Sequence, residues 1–410
     1  MLINEQKIQF TEILDELGEN LDITETQFDD AVRSYNAVGG WLANEDSLLK
    51  PYDPTIQPQG SMIIGTTVKP VNKIDDIDID LVCQLQGKDP IWTQKHLKKI
   101  VGDQLAKHKK YESILDEEGR RCWTLKYRES STLNDQYHMD ILPAIITNGY
   151  RIVLEKTFSD TGYTDTEKLT LSITDNTLFN YPSETKSENW LRSNPFGYAK
   201  WFIDQATIST IKLFSLNEAV KPVPKYQKNK FPLQRVVQIL KRHRDMMFKG
   251  DKEKPISIII TTLAGYAYKK ETNVFDALIN VIDNMHLYIQ EKTDLATGEK
   301  YRFIGNPVHP TENFADRWRE TPAKETKFKN WLIAVKKDIT DSSVQIGNHN
   351  IMERLTKSFG EDDVKTTFMN IGTKTRLLTE QAKSRFDTKA GLVTGAANII
   401  KPHTFYGTED

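Results

Sequence analysis

The residues best suited to chemistry in this 410-residue chain are a glycine-serine pair, Gly60-Ser61, and three aspartates, Asp78, Asp80 and Asp140. Glycine lets a backbone come close to a phosphate, and a serine hydroxyl with its neighbouring N–H groups can bind the phosphate oxygens. Three carboxylates brought together can hold two divalent ions. The reaction they suit is in-line attack of a hydroxyl on an α-phosphorus with pyrophosphate as leaving group, one ion serving the attacker and one the departing oxygens. Magnesium, with manganese as the alternative, prefers such a site, made of a few carboxylates plus phosphate oxygens and water.

The pattern around these residues predicts what positions them. Ile77, Ile79 and Leu81 alternate with Asp76, Asp78 and Asp80, as on a strand with carboxylates on one face and aliphatics on the other. The apolar Leu81-Val82-Cys83 after Asp80 favours Asp78 and Asp80 over Asp76 as the ligand pair. Trp123, Leu125 and Tyr127 alternate with Thr124, Lys126 and Arg128, and after a loop at Glu129–Asp135, Tyr137, Met139 and Ile141 alternate with His138, Asp140 and Leu142. These two runs predict an antiparallel hairpin that carries Asp140 beside the first strand. His138 shares the Asp140 face and could stand near the metals, although a satisfied or exposed histidine is the simpler reading.

Helices are expected on either side of this sheet. Residues 5–45 read as helical, with Ile8, Ile13 and Leu17 joining Phe10 and Leu14 on one stripe and a helix start at Thr24-Glu25-Thr26-Gln27. Pro51–Gln59, with three prolines, reads as a linker or extended loop, and a lysine-rich helix is expected at about 92–110. Beyond Trp190 the chain reads as mainly helical: Leu233, Val236, Val237, Leu240 and Met247 keep helical spacing, 256–268 and 274–289 are apolar helices, 292–330 is polar and loop-like, and helix resumes through Lys337. The expected class is α+β, divided into N-terminal helices (1–45), a mixed-sheet catalytic core (46–190) and a helical C-terminal part (191–410).

An isolated Asp-x-Asp is usually no more than the wet face of a strand. The combination is far more specific: Gly-Ser, Asp-x-Asp beginning 17 residues after the serine (78 − 61), and an aspartate on a later strand. The P-loop ending, HExxH, the GxSxG elbow and the full kinase set of HRD with its later Asn and DFG are missing from the sequence. Cys83 and Cys122 lack metal-site spacing, so reduced thiols and a cytoplasmic location are expected. A formal net charge of −2 argues against a stable nucleic-acid partner, and the clusters Lys95 to Lys99, Lys107 to Lys110 and Lys225 to Lys230 read as solvated faces or loops. No apolar run approaches the roughly 18–20 residues of a membrane span, and the acidic amphipathic start is unlike a secretory signal.

These residues resemble the polymerase-β-like nucleotidyltransferase superfamily and, more narrowly, the bacterial cGAS/DncV-like nucleotidyltransferases (CD-NTases) of anti-phage CBASS systems. The narrower resemblance rests on Ala37–Leu42, Pro58-Gln59-Gly60-Ser61 with Gly65-Thr66, Asp78–Val82, Met139–Ala144, Ser193-Asn194-Pro195 to Trp201-Phe202, Leu240–Asp245, Pro255–Leu263 and Lys401–Gly407. It implies a catalytic sheet lobe and a helical lobe around a nucleotide cleft, braced by an N-terminal helix. It further implies Asp78, Asp80 and Asp140 as metal ligands, Gly60-Ser61 as the phosphate turn, Lys241 as a triphosphate contact and Ser257 as a serine beside it. Read by itself, Lys241 lies about 40° from Val237 on a helical wheel, at the edge of the apolar face, where it can reach a cleft or pair with Asp245. Ser257 by itself reads as a helix cap or first-turn residue.

The function expected is metal-dependent conversion of nucleoside triphosphates into a cyclic di- or trinucleotide messenger. Asp140 helps deprotonate the attacking hydroxyl, and the diffusible product acts on a separate effector. A template-independent RNA-tailing or linear oligonucleotide synthase would keep the same carboxylates, and an inactive nucleotide-binding protein is the reading from another class.

Overall fold

The computed structural model describes residues 4–71, 76–127, 137–159, 165–208 and 226–380, with backbone alone for short strands at 385–387, 391–393 and 398–399. The expected loop at Glu129–Asp135 and the motif Lys401–Gly407 lie outside the described residues. The fold is α+β. The chain separates into two compact units, one made of 1–22, 235–303 and 315–410, the other of 23–234 and 304–314.

The second unit holds the sheet. In chain order its elements are α2 (Glu25–Leu42), which follows α1 (Asn4–Asn20) of the other unit, then β1 (Thr55–Pro58), α3 (Gly60–Ile63), β2 (Ile77–Gln86), α4 (Gln94–Ala106), α5 (Lys109–Glu112), β3 (Trp123–Tyr127), β4 (Tyr137–Ile146), α6 (Tyr150–Thr157), β5 (Leu171–Ile173), β6 (Leu191–Ser193) and α7 (Pro195–Ala206). The strands run β1-β2-β4-β5-β6, with β3 also paired to β4. Only β2 and β4 are parallel; the other pairs are antiparallel, so the sheet is mixed. The predicted β3–β4 hairpin pairing is present, with Trp123 opposite Ile141 and Tyr127 opposite Tyr137.

Alternation along β2 and β4 produces the core. Ile77, Ile79, Leu81, Cys83 and Leu85 join Met139 and Ile141, and α2 and α4 cover them with Phe28, Tyr35, Val38, Leu97, Val101 and Leu105. The predicted start of α2 forms a full capping box, in which the Thr24 side chain accepts from the Gln27 amide and the Gln27 side chain accepts from the Thr24 amide.

Three sequence expectations change here. The proline-rich stretch is not all loop: Thr55–Pro58 forms edge strand β1, where Pro58 is tolerated opposite Leu81 because only one side of the strand is paired. Lys98, expected on a solvated helix face, has a fully buried side chain whose ammonium donates to the Gly119 carbonyl and, at 2.8 Å, to the Arg120 carbonyl. Burial pulls its pKa down, and nearby Glu118 opposes that. The polar stretch after Lys292 contains paired strands, Gln290–Thr293 with Lys300–Phe303 in one unit and Gly305–Asn306 with His309–Asn313 in the other.

The first unit is largely helical. Within it, Phe10 of α1 packs edge-on against Phe275 at 5.3 Å, and Glu16 is buried with Asn370 donating to it at 2.7 Å. Helices Pro232–Phe248, Ser257–Ala267, Val274–Asn284, Ala323–Ser343, Asn348–Phe359 and Glu361–Glu380 supply the remaining framework, the first of them beginning in the sheet unit. No described helix is long and apolar enough to cross a membrane.

Candidate active site

The parallel register of β2 and β4 sets the site. Asp78 pairs with His138 and Asp80 with Asp140, so all four side chains occupy one face of two adjacent strands. Asp78 is exposed, while Asp80, His138 and Asp140 are half-buried. On the far side of Asp140, β3 places Thr124 directly opposite, and its hydroxyl donates to Asp140 Oδ1 at 2.5 Å.

The glycine-serine turn is stitched to the same strand. β1 runs antiparallel to β2, and the Gln59 amide donates to the Asp80 carbonyl at 2.8 Å. Gly60 follows with φ of +60°, in the left-handed region that favours glycine, and a Cβ there would lie 2.4 Å from Asp80 Oδ2. Both conformation and space therefore demand glycine. Ser61 opens toward Thr67, with the hydroxyls 3.2 Å apart, and its carbonyl accepts from the Thr66 amide at 2.9 Å. Gln234 braces the turn from below. Buried, it donates to the Ile64 carbonyl at 2.9 Å and accepts from the Phe231 amide at 2.8 Å.

Charge crowding shapes the electrostatics. Burial pushes the Asp140 carboxyl above its usual range; the Thr124 hydrogen bond opposes that, and the negative charge of Asp78 adds to it. The hydrogen bond to Asp78 raises the His138 pKa against the opposing effect of burial. His138 Nε2 stands 3.1 Å from Asp78 Oδ1, and its Nδ1 stands 3.8 Å from the buried Asp76 carboxylate. The simpler reading of His138 as merely satisfied or exposed therefore understates its place in the site. Burial pushes the Cys122 thiol to about 12, with Asp140 and Asp80 adding to the shift, which leaves it unreactive beside the carboxylates.

Among the described residues, Asp78, His138 and Asp140 form the one group of three possible metal ligands, each offering an atom within 4.8 Å of the others. The donor set suits a divalent ion: carboxylates on adjacent strands, one held by a hydroxyl and one beside an imidazole. Asp80 lies next to Asp140 by register, between the third carboxylate and the turn.

Lys241 and Ser257 lie in the other compact unit. Lys241 is 7% exposed, on the helix Pro232–Phe248. Its suggested partner Asp245 is bonded by Arg244 and Lys254, the lysine at 2.9 Å. Ser257 is the first residue of its helix, as its local reading expected, and its hydroxyl accepts from Arg244 Nη1 at 2.8 Å.

Thr124 and Gln234 were not found in the sequence. Thr124 was visible only as a polar member of an alternating strand, and the hairpin register is the signal that identifies it. Gln234 sits inside an amphipathic helical pattern far along the chain from the turn it supports.

A mixed sheet carrying aspartates on adjacent strands beside a glycine-serine turn defines a nucleotidyltransferase. Residues 54–143, from β1 into β4, match the family model for the cyclic GMP-AMP synthase DncV-like nucleotidyltransferase domain. The chain is 28% identical over 335 residues to a c-di-GMP synthase of Roseivirga ehrenbergii, covering 81% of this chain and 79% of that protein. It is 21% identical over 409 residues to the cyclic dinucleotide synthase CdnG of Bradyrhizobium diazoefficiens, covering 95% and 89%. The solved structure of that CD-NTase in complex with GTP superposes with a TM-score of 0.64 at 20% identity, over 88% of this chain and 99% of that one. The structure of E. coli MS115-1 CdnC with ATP gives 0.53 at 15% identity, over 85% and 96%. Residues 54–143 thus match a DncV-like nucleotidyltransferase domain, and the chain is similar over most of its length to CD-NTases, the family that the motifs resembled.

Proposed function

We propose that this protein converts nucleoside triphosphates into a cyclic dinucleotide or trinucleotide second messenger, with release of pyrophosphate, for anti-phage (CBASS) signalling in the cytoplasm. Its product diffuses to a separate effector. The observation that carries the reading is the register of β2 and β4, which sets Asp80 against Asp140 and Asp78 against His138, with Gly60 closed onto Asp80. The two curated relatives, both named as synthases of cyclic dinucleotides, support a ring of two nucleotides as the first product to look for.

In this reading Asp78, Asp80 and Asp140 hold the ions, magnesium first. Divalent ions held there would supply neutralising charge for the triphosphate and the pyrophosphate. The remaining work falls to the chain. Gly60 and Ser61 bind phosphate oxygens through backbone amides and the Ser61 hydroxyl, on a turn that Gln234 keeps from shifting. Asp140 is suited to help take the proton of the attacking hydroxyl, while Thr124 keeps one of its oxygens in a fixed direction. Lys241 and Ser257 are the further triphosphate contacts of this reading.

The test is pyrophosphate release from the pure protein with four nucleoside triphosphates and magnesium. Asp78→Ala and Asp80→Ala should each reduce it by at least ~10³-fold, on the scale of removing a group that stabilises developing charge. Wild-type rates in both variants would remove the site. Extension of a labelled RNA primer would instead establish the tailing reading, and nucleotide binding with no pyrophosphate would establish an inactive binding protein.

A further inference from the structure

The sequence pattern set Asp76 aside as a ligand and placed His138 no closer than near the metals, yet the structure sets His138 beside both Asp76 and Asp78. His138 Nε2 stands 3.1 Å from Asp78 Oδ1, and ligand atoms of Asp78, His138 and Asp140 all fall within 4.8 Å of one another. Two adjacent ligands of one octahedral ion with bonds of ~2.1 Å lie ~3.0 Å apart, so this nitrogen and this oxygen have the separation of a shared ion. Behind the ring, the Asp76 carboxylate, 6% exposed, stands 3.8 Å from Nδ1. That is longer than a hydrogen bond, but a negative charge there favours a proton on the far nitrogen and leaves the near nitrogen for a metal. The side chains facing His138 are thus Asp78 on its front, Asp76 behind it and Lys126 as its partner on β3, whose ammonium is drawn away to Asp116.

We propose that His138 is a nitrogen ligand of one metal in this site, its tautomer favoured by the charge of Asp76, and that it biases the site toward first-row transition ions over magnesium. The inference rests on the reading of Asp78 and Asp140 as metal ligands and adds a ligand to that set. Magnesium binds through oxygen and gains little from an imidazole, whereas first-row divalent ions accept one readily. His138 and Asp78 are register partners on adjacent strands, so neither needs a backbone movement to bind the same ion.

The free full-length protein, titrated with Mn2+ and followed by electron paramagnetic resonance, tests this without any turnover. The spin-echo spectrum of bound Mn2+ should carry the modulation of a directly coordinated imidazole nitrogen. His138→Ala should abolish that signal and weaken Mn2+ binding about 10-fold or more, while magnesium binding changes by less than about 3-fold. Asp76→Asn should keep the nitrogen signal and weaken Mn2+ binding about 10-fold. Thermal melting without metal identifies any variant that fails to fold, and His138→Gln, which keeps a hydrogen-bonding side chain but no imidazole, should repeat the alanine result. Mn2+ bound without nitrogen modulation, and equally tightly in His138→Ala, would overturn this inference while leaving the carboxylate site intact. Failure of the wild-type protein to bind Mn2+ at all would overturn both.

Discussion

Thr124 offers the sharpest test of how the site is held. Its hydroxyl donates to Asp140 Oδ1 at 2.5 Å from the paired position on β3, which leaves Oδ2 for an ion or a proton. Thr124→Val keeps the β-branched shape that the strand favours and removes only the donor. A hydrogen bond to a charged group contributes ~1.5–3 kcal/mol, and the half-exposed setting of both residues argues for the lower end. At ~1.4 kcal/mol per tenfold, ~1.5–2 kcal/mol becomes a loss of roughly 10–30-fold. That loss should appear in kcat for pyrophosphate release and in the magnesium concentration giving half-maximal rate, with KM for the nucleotide nearly unchanged. Thr124→Ser, which restores the donor, should recover to within about 3-fold of wild type. The assay is steady-state pyrophosphate release at varied magnesium, alongside thermal melting to confirm the fold. Wild-type values for Thr124→Val, or equal losses in Val and Ser variants, would refute an orienting role.

Two further perturbations follow from the same geometry. Gly60→Ala puts a methyl group 2.4 Å from Asp80 Oδ2 at a φ of +60°. It should lower activity by ~100-fold through a displacement of about 1 Å at the carboxylate, while the backbone strain, ~1–2 kcal/mol, lowers the melting temperature only by several degrees. Asp175 has a fully buried side chain that accepts from Arg120 and Arg121 at 3.0 Å and from the Thr177 hydroxyl at 2.6 Å, tying the segment before β3 to the end of β5. Burial pushes its carboxyl upward, but bonds from Arg120, Thr177 and Arg121 outweigh that and hold it well below the usual carboxylate range. A carboxyl lowered by folding contributes stability that is complete above its unfolded pKa of ~3.9 and is lost as pH falls. Asp175→Asn should therefore destabilise by about 2 kcal/mol at pH 7. The difference in melting temperature from wild type should shrink as pH falls from about 5 through 3. A difference independent of pH would contradict the assignment.

Much of the site was legible because strand alternation has a period of two. Once Ile77, Ile79 and Leu81 are placed in the core, Asp78 and Asp80 must share the other face, and the β3–β4 pairing carries Asp140 to the neighbouring strand. What stayed hidden depended on contacts far apart in sequence. Lys98 looks like any lysine on a charged helix until the carbonyls of Gly119 and Arg120 arrive to receive its ammonium. Thr124 gains its role from register alone, and Asp76 gains its place behind His138 only when β2 and β4 align. The strand at Thr55–Pro58 was masked by prolines that an edge position tolerates. The later hairpins were masked because polar two-stranded ribbons, such as Gln290–Thr293 with its mostly exposed residues, bury no alternating apolar face.

The central claim is that this site closes nucleotides into a ring. Mass spectrometry of the product formed from mixed nucleoside triphosphates and magnesium, before and after phosphatase, tests it most directly. The account predicts a species with the mass of a cyclic dinucleotide or trinucleotide that survives phosphatase and is missing when Asp78 or Asp80 is replaced by alanine. Linear chains that lose their terminal phosphates, with no phosphatase-resistant species, would contradict it.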